Sequence, residues 1–183
     1  MIYHFSLKAA GIVAGVFLVL LGLIALGTGD SARTFARRLP RSRIAGIVLL
    51  TIDLIWTFWL VKTMEMGEFA TFRVPLLFAL PIGFGLVLRF VDEFLAARAL
   101  GILFLLAAEP LLDTAFLRYE PSRLLVTVLA YVMIVAGLIW GTMPYLLRDQ
   151  VNWSAQSAGR WRTTGALVLL FGATIIGFAV TTY

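Results

Sequence analysis

Long apolar runs alternate with short polar stretches along the whole chain, at about 5–27, 44–61, 74–91, 95–117, 124–147 and 163–182. Each holds between 18 and 24 residues. A hydrocarbon layer about 30 Å thick is crossed by about 20 helical residues, and backbone groups inside it find partners only within a helix. The pattern predicts an all-α integral membrane protein, one domain over residues 1–183 made of six transmembrane helices. Little chain is left for a soluble domain.

Composition agrees, with 61% hydrophobic and 14% charged residues and a mean hydropathy of +0.98. A soluble domain of ordinary make-up is about 25% charged. The net charge of +5 does not point to nucleic acid, because the basic residues are concentrated in connections between apolar runs. Arg33, Arg37, Arg38, Arg41 and Arg43 fall in the first connection. Basic connections of this kind are retained on the cytoplasmic side, against an anionic leaflet. The same loop is therefore expected to contact anionic lipid headgroups.

With that loop inside, ten basic residues lie on the inner side and five on the outer, and both termini are expected outside. The first run, with Lys8 near its start, could pass for a signal peptide. The arginine-rich stretch behind it argues instead for a retained span. Spans 3 and 4, and spans 4 and 5, are predicted to be joined by tight turns, which makes each pair antiparallel neighbours. Pro144 predicts a kink at the end of the fifth run. A plasma or inner membrane is the expected location.

Cysteine is absent and His4 is the single histidine. Thiolate metal sites, iron–sulfur clusters, a cysteine nucleophile and a bis-histidine haem are thereby excluded within one chain. No cofactor and no metal is expected. His4, next to Tyr3 and Phe5, reads as an interfacial residue.

The chemistry that stands out is intramembrane charge. Asp53 falls mid-run, where an ionised carboxylate costs about 2.5–3.5 kcal/mol, so it should be protonated, paired or hydrogen-bonded away from lipid. Thr57, one turn on, is a local candidate partner. Glu109 and Asp113 share a helix face, with Arg98 about 20° away around the axis. Pro110 leaves the Leu106 carbonyl without its helical partner. Kinked helices with acids line transporter cavities; the plainer reading is a helix that ends near Glu109. Pro75, Pro81, Gly83 and Gly85 make the third run the other irregular one, but nothing near them supports nucleotide binding.

Small residues at helical spacing mark packing faces. Gly11, Gly15 and Gly22 form one in the first run, and Ala173-x-x-x-Gly177 is a second in the last. Either could pack within the chain, against a second copy, or against another membrane protein. No nucleophile–base pair or metal set assembles from the polar residues, which argues against an enzyme. The expected function is that of a non-catalytic structural or accessory subunit of a membrane assembly. The alternative is a small transporter or ion or proton pathway that uses Asp53, Glu109 and Asp113.

Overall fold

A computed structural model describes residues 6–91, 93–118, 120 and 123–181. The described residues are predominantly helical, without strands. There are eight helices: α1 (Leu7–Gly27), α2 (Gly29–Arg38), α3 (Arg43–Thr63), α4 (Arg73–Phe90), α5 (Leu95–Ala115), α6 (Arg123–Thr142), α7 (Pro144–Ala155) and α8 (Ala158–Thr181). Six helical segments, Gly67–Phe90 counted with its leading 3-10 turn, are long and apolar enough to cross a membrane. They correspond to the six apolar runs. This is a multi-pass membrane protein.

Local sequence explains where the helices begin. Ser6 and Ser42 cap α1 and α3, each hydroxyl accepting from the backbone N–H three residues on, at 3.2 Å. A 3-10 turn over Leu39–Arg41, with Pro40 buried, separates α2 from α3. Pro144 occupies the first position of α7, where its missing N–H costs no helical bond.

Four expectations drawn from the proline and charge pattern need correction. The arginine-rich connection is helical, since Gly29–Arg38 forms α2. Pro144 does not kink the fifth span: α6 stops at Thr142 and a separate helix begins. The polar connection 148–162 between the fifth and sixth apolar runs, expected as a loop, is the rest of α7 together with the first turn of α8. Pro110 does not end its helix near Glu109, as α5 runs on to Ala115, and α4 likewise continues through Pro81 to Phe90.

Without a hydrophobic drive between helices in lipid, close backbone approach holds the bundle together. α1 and α8 pack antiparallel along their length. A Cβ on Gly15 would lie 2.9 Å from the Gly172 carbonyl oxygen, and one on Gly22 2.9 Å from that of Gly165, so seven steps up α1 match seven steps down α8. α5 and α6 make the second tight pair, crossing where Gly101 meets Gly137 and Gly141. At one end of the bundle Leu7, Ala108, Ala115, Val126 and Ile175 share a core, which joins α1, α5, α6 and α8.

α3 lies on α5, and both start at the same end because Gly46 abuts Leu95 and Ala96. α4 packs on α3. Burial falls steeply across this row: 39% of the apolar stretch of α5 is buried and none of that of α4. At the end of the bundle opposite Leu7 and Ile175, α2 packs against α7 as a short second layer.

Candidate functional site

α3 presents Gly46, Leu50 and Asp53 as its buried residues, a spacing of four and three that makes one face. Gly46 touches the first turn of α5, and Leu50 packs with Leu95 and Ala99. Asp53 continues that seam half-way along α3. It is 3% exposed, so the chain shields it from lipid. Among the described residues neither Oδ1 nor Oδ2 has a hydrogen-bond partner. Thr57 therefore does not bond to Asp53, although it lies one turn away.

The α5 charges are arranged differently. Glu109 is exposed, and Asp113 and Arg98 are half-buried. Glu109 and Asp113 line an open cleft of about 360 Å³ between α5 and α6, among Leu105, Leu112, Phe116 and Ile134. Arg98 is about 16 Å away along the axis, at 1.5 Å per residue, and Asp53 does not line the cleft. The structure thus brings two of the acids to one surface groove and leaves the mid-span acid in a separate seam.

The small-residue faces also part company. Gly11, Gly15 and Gly22 are all buried, the latter two directly against α8. Ala173 and Gly177 point out of the bundle; both are exposed, and a Cβ on Gly177 would meet nothing within 4 Å. On α8 it is Gly165 and Gly172 that face α1. Their seven-residue spacing matches that of Gly15 and Gly22, a signal present in the sequence once the two helices are known to pair.

At the end of the bundle where α2 meets α7, Arg33 pairs with Asp30 and Arg148 with Asp149 at 2.7 Å. The Arg37 guanidinium donates to the Ala155 carbonyl at the end of α7. Arg43 reaches the Leu88 carbonyl at 3.5 Å. Arg38 and Arg41 are exposed. Arg160, in the first turn of α8, stacks over Trp153 at 4.9 Å and donates to Gln156 at 3.1 Å. Trp161 Nε1 donates to the Ala25 carbonyl at 2.8 Å, tying the start of α8 to the end of α1. Sequence reasoning missed the part α7 plays here; Pro144 followed by Leu147, Val151 and Ala155 on one face was the available signal.

Among the described residues no group of three His, Asp or Glu side chains could hold a metal ion. His4 lies outside the described residues. No known protein family, curated protein or solved structure matches this chain.

Proposed function

We propose that this chain is a non-catalytic structural subunit of a membrane assembly, held in a plasma or inner membrane with both termini outside, and that α4 is its docking edge. The observation that carries the reading is how little of α4 is covered, although it packs on α3. It is a full span without one buried residue, and its outward stripe of Phe78, Ile82 and Leu86 is 53–68% exposed. Helices of a self-sufficient bundle bury a face against their neighbours. A span that does so this little is a candidate to complete its packing on another protein.

A photo-crosslinking side chain placed at Phe78 or Ile82 is expected to join the 20.2 kDa chain to one discrete protein in native membranes. The same group at Leu167 of α8, itself 67% exposed, should give none. Equal and diffuse products at both positions would mean that α4 faces lipid, and would sink the reading.

The orientation rests on the ten-to-five division of basic residues; the tight turns expected between spans 3 and 4 and between spans 4 and 5 fall partly outside the described residues. Single cysteines at Arg38 and Glu120 are expected to label from opposite sides of the membrane. Labelling of both from one side would overturn it.

A second reading, an ion or proton pathway, is favoured by Asp53, a mid-span acid with no hydrogen bond to either oxygen among the described residues. It ranks second because the cleft that holds Glu109 and Asp113 does not reach Asp53.

A further inference from the structure

From the way α2, α7 and the first turn of α8 meet, we infer that they form one composite binding site for anionic phospholipid headgroups. It does not depend on the assembly reading. The sequence alone points to a basic loop acting by itself; the fold adds a second source of charge from more than a hundred residues away. Arg37 donates to the Ala155 carbonyl, five residues before Arg160, whose guanidinium is fixed over Trp153 and against Gln156. The two arginines flank the end of α7, while Trp161 holds the start of α8 to the end of α1, from which α2 departs.

Two further observations identify the ligand. The first is uncompensated charge. Asp30 and Asp149 are taken by Arg33 and Arg148, and no ion pair involves Arg37, Arg38, Arg41, Arg160 or Arg162 among the described residues. Guanidinium groups pair bidentately with phosphate oxygens. The second is apolar exposure beside that charge. Phe35 is 66% exposed and Trp153 58%, on short helices that follow directly on the ends of spans. Aromatic and basic side chains mixed at that level suit the headgroup region of a leaflet, where each is satisfied. A soluble polyanion would leave Phe35 and Trp153 in water. The occupant is therefore a lipid with a phosphate and a net negative charge.

The test is native mass spectrometry of the full chain in detergent, titrated with phosphatidylglycerol, with phosphatidylcholine, and with phosphatidylglycerol in the presence of millimolar inorganic phosphate. Phosphatidylglycerol is expected to bind at least tenfold more tightly than phosphatidylcholine and to resist the phosphate. Arg160→Gln should weaken it about fivefold, as should Arg38→Gln, the usual effect of one arginine near a leaflet. Arg160→Lys, which keeps the charge and the fold but loses the planar fork, should fall between. Loss with Arg38→Gln but none with Arg160→Gln or Arg160→Lys would reduce the site to the loop alone and overturn the inference. So would equal binding of the two lipids, or displacement by inorganic phosphate.

Discussion

Gly101→Ala is expected to destabilise the bundle by about 1–3 kcal/mol, the cost of forcing extra volume into a close-packed contact. The added Cβ would lie 2.8 Å from the Gly137 carbonyl oxygen and 2.9 Å from the Gly141 nitrogen. Both are backbone atoms, so no side chain can swing aside and α5 must move off α6. Gly172→Ala should behave alike, since its Cβ would meet the Gly15 carbonyl oxygen and the Leu18 Cβ at 2.8 Å. Gly177→Ala and Gly85→Ala add the same methyl group in open space and should change stability by no more than about 0.5 kcal/mol. Unfolding by dodecyl sulfate or by heat in a mild detergent reads the difference. If all four variants unfold together, these helix pairs are not held by close glycine contact.

Asp53→Val is expected to stabilise the chain by about 1–3 kcal/mol, the penalty commonly attached to a buried polar group without a partner. An apolar residue would cost stability here only by stranding a donor that the carboxylate satisfies. The described residues hold no such donor, because neither carboxylate oxygen is hydrogen-bonded among them. Replacing buried ionisable groups by apolar ones of similar volume is often neutral or stabilising. Asp53→Asn should change little, because it exchanges an unpartnered carboxyl for an unpartnered amide of the same shape. A loss of more than about 1 kcal/mol in Asp53→Val would reveal a donor from water or a partner chain. The pair of variants also separates the two functional readings. A structural subunit should assemble normally with either substitution, whereas a proton pathway should lose pH-driven flux in proteoliposomes with both, while remaining folded. That second result would put transport ahead of assembly.

The α4 edge and the Asp53 seam bear on function in different ways. An exposed span asks for a neighbour; an unpartnered mid-span acid asks for a reason to be retained. If cross-links from Phe78 identify a partner and Asp53→Val leaves the complex intact, the acid is dispensable for assembly. Its role would then be sought in what the assembly does.

What the sequence by itself determined is the number of spans, their approximate limits, and the need to keep Asp53 out of lipid. These are local properties: insertion depends on a run's length and summed apolarity, which can be read without knowing any neighbour. Gly11, Gly15 and Gly22 were legible as a face for the same reason, because helical spacing alone aligns them. Only the tertiary structure decided which face of each helix meets which other. Ala173 and Gly177 have the same small-residue spacing as a packing motif, yet α8 is rotated so that Gly165 and Gly172 take the contact instead. Proline was a poor guide to helix ends, since the helix continues through Pro81 and Pro110 but begins anew at Pro144. Glu109 and Asp113 were aligned in the sequence, but their separation from Asp53 was set by the pairing of α5 with α6 on one side and α3 on the other. The meeting of Arg37 with the end of α7, beside Arg160, was equally beyond reach, because it joins residues 118 positions apart. Helix rotation and long-range adjacency are fixed by non-local contacts, and in a bilayer, where every outward apolar side chain is equally well solvated, hydrophobicity along the chain carries little information about them.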